Sequence, residues 1–216
     1  KSGYRGIHLI YRYRNRLVPQ YNGLQLELQI RTKIQHAWAT AVETMGTFLG
    51  QALKSSQGDV EWREFFAVTS SAFAYKEMSP PVPGWERLTR DETLKETAKR
   101  ARELRVIDKL RSFTLAANAI TNRKEKSWFY HLIVLDSTGP RPVVTVASYS
   151  RDQLESATDA YAQAEARAAR GEKIEPVLVS AGPLKQLKRA YPNFFLDSRE
   201  FMGRLEELLK DADSKN

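Results

Sequence analysis

The chain has 216 residues, of which 42% are hydrophobic and 28% are charged, the composition of an ordinary globular protein that can bury a core. It contains no cysteine, which excludes disulfide scaffolds, thiolate metal sites and cysteine nucleophiles and fits a reducing, cytoplasmic compartment. The three histidines (His8, His36 and His131) are too few for the metal cluster of a metal-dependent phosphohydrolase. No apolar run approaches the roughly 18 residues of a membrane helix, so a membrane-spanning protein is excluded.

The formal net charge is +8, which favours a polyanionic partner such as a nucleotide, a nucleic acid or an anionic membrane surface. A charge excess of this size also occurs simply for solubility, so charge alone does not decide between these alternatives. The sequence begins at Lys1, without an initiator methionine or a signal-peptide pattern. We expect its natural beginning to lie further upstream.

Residues 7–14 and 24–31 are predicted to be strands, joined by a loop that contains proline, asparagine and glycine. The short connection favours an antiparallel hairpin. The second strand alternates without interruption, which predicts one buried apolar face and one polar face. The apolar set is Leu24, Leu26, Leu28 and Ile30, and the polar set is Gln25, Glu27, Gln29 and Arg31.

From Thr32 the apolar spacing becomes helical and continues to Leu49. Asp59 is placed to cap a second helix, and the proline-rich segment 79–84 is a loop. Residues 91–120 predict one long helix with a basic outer face, formed by Lys95, Lys99, Arg100, Arg102 and Lys109. The polar stretch 122–126 is the candidate domain boundary.

Beyond this boundary the pattern predicts a small module of order β-β-α-β-α. Its strands are residues 128–135, 143–149 and 177–180, with a turn at Gly139-Pro140. Ser150 with Gln153 predicts a capping box for a helix that ends at Gly171. Asp197 with Glu200 predicts another, for a final helix that ends near Leu209.

Two domains of an α+β protein are therefore expected. Residues 1–121 form the first, and residues 127–216 form a small α/β module of unknown role.

The polar face of the hairpin is the first feature that points to chemistry. By pairing parity, Tyr4, His8 and Arg12 lie on the same side as Glu27 and Arg31, which places one carboxylate among cationic groups. Guanidinium groups bind phosphate oxygens, and a single glutamate can hold Mg²⁺, so this face suits a phosphorylated ligand. The alternative is a solvated sheet face with cross-strand ion pairs.

Three strings occur in order on the predicted strand, strand and helix: GYRGIH at residues 3–8, ELQIRT at 27–32 and QHAWA at 35–39. Together they resemble the RelA/SpoT nucleotide pyrophosphokinase family, which transfers the β,γ-pyrophosphate of ATP to the 3′-hydroxyl of GDP or GTP. The resemblance implies a nucleotidyltransferase-like synthetase domain, with a mixed or antiparallel sheet packed by helices. It also implies a role in alarmone synthesis and the stringent response. It is strong over about the first 50 residues, loose over the next helices and nearly absent after Lys126.

The resemblance implies a role for each matching residue. Tyr4 matches the ring that stacks on the acceptor guanine, and Glu27 matches the catalytic glutamate that binds Mg²⁺ and activates the 3′-hydroxyl. Lys1 matches a basic residue of the guanosine-binding loop. Further residues match the lining of the acceptor pocket: His8, Gln29 and Arg31.

The ATP-binding residues and the second metal-binding aspartate of this family precede the GYR string and are not among these residues. The chain is therefore expected to hold the acceptor half of the site and to be inactive alone.

Three functions remain open. The protein is a synthetase of (p)ppGpp, a toxin-like relative that pyrophosphorylates the 3′ end of tRNA, or a domain that binds a nucleotide or a partner protein without catalysis. A homo-oligomer is possible. The basic face of the long helix is a solvated surface or a tRNA contact. His36 and His131 are expected to be structural.

Overall fold

The computed structural model describes residues 3–49, 53, 58–122, 128–136, 138–139, 143–180 and 194–214. Within these ranges the chain forms six α-helices and two antiparallel sheets, one of two strands and one of three. The expected α+β class is therefore confirmed.

The first sheet is a hairpin of β1 (Ile7–Arg12) and β2 (Gln25–Ile30). The two strands pair antiparallel as predicted, with Ile10 opposite Glu27. The connection contains a short 3-10 turn, Pro19–Tyr21, and returns the chain to the start of β2. The hairpin carries the polar face that the alternation predicts.

The expectation that the other face of β2 is buried is wrong. Every residue of both strands is exposed, and the side chains of Leu26 and Leu28 retain 49% and 51% of their accessible surface. Alternation of apolar and polar residues predicts that one face of a strand is apolar. That face is buried only if another element packs against it, and none of the described helices covers the apolar face of this hairpin. The exposed apolar side chains of this face are Ile7, Leu9, Tyr11, Leu26, Leu28 and Ile30.

The helices α1 (Lys33–Phe48) and α2 (Val60–Lys76) follow the hairpin. Thr32 caps α1 in a capping box with Gln35, and the predicted apolar stripe of α1 faces the core. Asp59 precedes α2 as predicted, but its side chain makes no capping hydrogen bond. Since α2 is buried on nearly all sides over its second half, it is the central helix of the body.

The prediction of one long helix over residues 91–120 is wrong, because the chain forms α3 (Arg90–Glu103) and α4 (Val106–Asn122). Arg105 between them has φ +51°, a left-handed conformation that ends a helix. The two helices pack on different neighbours: α3 contacts mainly α2, whereas α4 contacts the second sheet. The break allows both sets of contacts to form.

The second sheet has β3 (Trp128–Asp136) at its centre, flanked by β4 (Val143–Ser150) and β5 (Ile174–Ser180). Both pairings are antiparallel. The helix α5 (Leu154–Ala169) packs on this sheet, which also contacts α4. The predicted Ser150 capping box forms, although it caps a 3-10 turn that leads into α5.

The last helix, α6 (Phe194–Asp213), begins before Asp197, so the predicted capping box at Asp197 and Glu200 is wrong. This helix packs against α1, α3 and α4, and Phe201 and Leu205 are fully buried in the same core as Trp38. The described segments before and after residues 123–127 thus share one hydrophobic core. The division into domains 1–121 and 127–216 stays a prediction.

Candidate functional site

The register of the hairpin places the predicted polar residues on one face. His8 lies opposite Gln29 and Arg12 opposite Gln25, while Glu27 is paired with Ile10. Because paired residues of an antiparallel sheet project to the same side, the predicted parity is correct. Ile10 also belongs to this side and is 69% exposed.

Five of the six predicted site residues form a closed circuit of hydrogen bonds, which we call the polar ring: Tyr4, His8, Glu27, Gln29 and Arg31. Tyr4 Oη lies 2.7 Å from His8 Nε2, and His8 Nδ1 contacts Glu27 Oε1. Gln29 Nε2 donates to Glu27 Oε2 at 3.0 Å. Arg31 closes the circuit, since its Nη2 donates to Gln29 Oε1 and its Nε donates to Tyr4 Oη at 2.9 Å.

A hydrogen-bond donor meets an acceptor at every contact of the polar ring. An ionised carboxylate only accepts, so the contact with Glu27 places the His8 proton on Nδ1. His8 Nε2 and the Tyr4 hydroxyl share the next hydrogen bond, and the Tyr4 oxygen also accepts from Arg31. Each side chain is therefore oriented by two neighbours, although the ring is at the surface.

Glu27 is the only carboxylate of the polar ring. The hydrogen bonds from His8 and Gln29, together with the positive charges of His8 and Arg31, hold the pKa of Glu27 below its usual value. Its side chain is 47% exposed. Glu27 is therefore an accessible anion at neutral pH, beside a permanent cation.

The Tyr4 ring is held in a defined orientation beside this carboxylate. The Arg31 guanidinium lies 5.0 Å from the ring centroid, and the His8 imidazole meets the ring edge-on at 5.4 Å. Gly6 leaves room for this packing, because a Cβ at that position would lie 3.2 Å from Tyr4 Oη.

The remaining predicted residues fall elsewhere. Lys1 lies outside the described residues, and Arg12 is exposed near the far end of β1. His36 is half-buried on α1. His131 is 2% exposed, with Nδ1 3.0 Å from Ser148 Oγ on the neighbouring strand, an environment that fits a structural histidine.

The predicted basic face of the long helix is largely neutralised by ion pairs. Arg100 pairs with both Glu64 and Glu96, and Arg102 pairs with Asp213 at 2.6 Å. Lys109, now on α4, lies 3.3 Å from Glu175. Of the predicted basic residues, Lys95 and Lys99 alone have no carboxylate partner in the described part of the chain. This surface therefore offers fewer free cations than the sequence predicts.

Two residues next to the site were missed by sequence reasoning. Arg5 follows Tyr4 directly, and Glu77 contacts it from the end of α2, 72 residues further along the chain. Arg5 is part of the GYRGIH string and could have been singled out there. Glu77 carries no local signal, since its partners become neighbours only through the fold.

No protein-family model matches the sequence, and no curated protein matches it closely enough to count as a relative. Among the described helices, none is long and apolar enough to cross a bilayer. The functional assignment therefore depends on the three sequence strings and on the geometry of the polar ring.

Proposed function

We propose that the polar ring is the acceptor-nucleotide site of a RelA/SpoT-type pyrophosphokinase, which transfers pyrophosphate from ATP to the 3′-hydroxyl of GDP or GTP. One observation carries the proposal. Residues from two separate strings of the sequence, GYRGIH and ELQIRT, come together in one hydrogen-bonded circuit on an accessible face. A solvated sheet face needs no such closed arrangement.

Each member of the ring then has a chemical role. Tyr4, oriented by its hydroxyl, offers an aromatic ring on which guanine stacks. Arg31 has guanidinium hydrogens suited to phosphate oxygens. Glu27, held as an anion by His8 and Gln29, accepts the proton of the acceptor hydroxyl. These roles rest on the resemblance together with the geometry.

The residues present are compatible with magnesium. Glu27 would hold the ion, because Mg²⁺ in phosphoryl-transfer sites is commonly bound by one or two carboxylates together with substrate phosphates and water. Bound there, the ion would offset the negative charge of the phosphates. In the described ranges no group of three or more metal-ligating side chains is present, so the phosphates would supply further ligands.

The proposal assigns the ATP-binding residues to another segment of polypeptide, as the resemblance implies. The uncovered apolar face of the hairpin supports this part of the proposal. Side chains such as Leu28, about half exposed on the face opposite the polar ring, are expected to be covered in the working enzyme. A two-stranded sheet is also marginal alone and gains stability from a covering element. We therefore expect the isolated chain to bind the acceptor without transferring pyrophosphate.

A tRNA acceptor is the second candidate, favoured by the outer half of the hairpin. Arg12, Arg14 and Arg16 are exposed there and make no ion pair with any described residue. Unpaired guanidinium groups bind a phosphate backbone with an affinity that falls steeply with salt. A salt-dependent affinity for deacylated tRNA, lost on replacing these arginines, would favour this acceptor over GDP.

The test is a transfer assay on the protein that carries this chain, with ATP labelled in the γ-phosphate, Mg²⁺ and GDP, GTP or deacylated tRNA. We expect label on the guanine nucleotide, whereas label on tRNA alone would select the second candidate. Glu27→Gln should abolish transfer, because it removes the anion at nearly constant volume. Glu155→Gln, which alters an exposed carboxylate on α5, is the control and should leave transfer unchanged. Substantial transfer by Glu27→Gln would refute the catalytic assignment.

A further inference from the structure

Glu77, the residue at the C-terminal cap of α2, contacts both ends of the hairpin. Its Oε2 lies 2.7 Å from Arg5 Nη2, just before β1, and its Oε1 accepts from Thr32 Oγ1, just after β2. One carboxylate thus connects the chain entering the hairpin with the chain leaving it. We call these three residues the clamp.

The guanidinium of Arg5 is fixed by further contacts with the same helix and its end. Its Nε donates to Ser70 Oγ at 3.1 Å, and its Nη1 donates to Ser79 Oγ at 3.2 Å. The side chains of Arg5 and Glu77 are only 14% and 15% exposed. Since water solvates the charges poorly there, removing one partner leaves the other unsatisfied.

The strands themselves do little to orient the hairpin against the body. Every residue of β1 and β2 is exposed, whereas the buried contacts lie at the base, where Gly3 packs against Ala67 and Trp38. The direction in which the hairpin leaves the body is therefore set by a few residues near its two ends.

The clamp and the polar ring are adjacent in sequence at both ends of the hairpin. Tyr4 precedes Arg5, and Arg31 precedes Thr32, while Tyr4 and Arg31 share the 2.9 Å hydrogen bond that closes the ring. We propose that Glu77 is a positioning residue, which holds these two chain segments at the spacing that the polar ring requires. The consequence for nucleotide binding rests on the proposed function, but the geometric effect does not.

The experiment compares Glu77→Gln with Glu64→Gln in the whole chain. Glu64 lies on the same helix and makes an ion pair of the same 2.7 Å length with Arg100 in the body rather than with the hairpin, and its side chain is 46% exposed. Amide hydrogen exchange is measured by NMR for the hydrogen-bonded amides of β1 and β2 and for those of α2. Binding of GDP with Mg²⁺ is measured on the same samples by chemical-shift titration.

For Glu77→Gln we expect the hairpin amides to exchange on the order of tenfold faster while the α2 amides keep their protection. GDP binding should weaken by a similar factor. Glu64→Gln should leave both hairpin exchange and GDP binding unchanged. Equal exchange rates of the hairpin amides in the two variants would overturn the proposal. Loss of amide protection throughout the body of Glu77→Gln would also overturn it, because such a loss indicates a merely structural role for Glu77.

Arg5→Gln provides a second approach from outside α2, and it decides the question if Glu77→Gln does not fold. We expect the same selective effect on the hairpin. The double variant should add little to Arg5→Gln, because Arg5→Gln already breaks the contact with Glu77, together with those to Ser70 and Ser79. Additive effects would contradict the clamp. If GDP binds to none of these proteins, the proposed function fails, while the exchange data still decide the role of Glu77.

Discussion

Replacing Leu28 by alanine tests whether the apolar face of the hairpin is uncovered in this chain. Full burial of a leucine side chain contributes about 1.5–3 kcal/mol, and Leu28 is 51% exposed, so its truncation should cost about 1 kcal/mol or less. No cavity is formed, because the side chain borders solvent. For a chain of this size the expected fall in Tm is at most about 2–4 °C.

Leu110→Ala on α4 is the matched control. Leu110 is fully buried in the core, so the same truncation leaves a cavity and should cost about 3 kcal/mol or more. Both variants are measured by urea unfolding and by calorimetry against the unchanged chain. If Leu28→Ala costs as much as Leu110→Ala, the face is covered in the isolated chain, and the argument for a covering segment fails.

Three further predictions follow from local geometry. The hydrogen bond from His8 is the main reason that the pKa of the Glu27 carboxyl lies below its usual value of 4.5. The ionised carboxylate therefore stabilises the folded chain above pH 4.5, and this contribution is lost as the pH falls through the lowered pKa. NMR titration should show the lowered pKa, and Glu27→Gln should remove this acid-dependent loss of stability. Gly3→Ala should destabilise the chain by about 2 kcal/mol in urea unfolding, since φ is +75° and a Cβ would lie 2.8 Å from the neighbouring helix backbone. Burial and the carboxylate of Glu165 raise the pKa of Tyr161 to about 12, and ultraviolet titration should show that Glu165→Gln lowers it; an unchanged value would contradict this cause.

The strand alternation of residues 24–31 was sufficient to predict the hairpin and the composition of its polar face. A period of two determines which side chains share a side, and pairing parity then adds His8 from β1 and Tyr4 from the segment just before it. The closed circuit itself was not predicted, because it depends on side-chain rotamers that the pattern does not specify.

Other features depend on contacts between distant parts of the chain. The break at Arg105 has no glycine or proline to announce it, and helical spacing continues through it; it arises because α3 and α4 pack on different neighbours. Glu77 is likewise 72 residues from Arg5. The exposure of Leu26 and Leu28 depends on which elements cover the hairpin, and local sequence carries no information on that.

The most direct test of the central claim is an NMR titration of the chain with GDP and Mg²⁺. The account predicts saturable shifts at the side chains of Tyr4, His8 and Gln29, which Glu27→Gln weakens at least severalfold. Shifts confined to other surfaces, or unchanged binding by that variant, would contradict the assignment of the polar ring as the acceptor site.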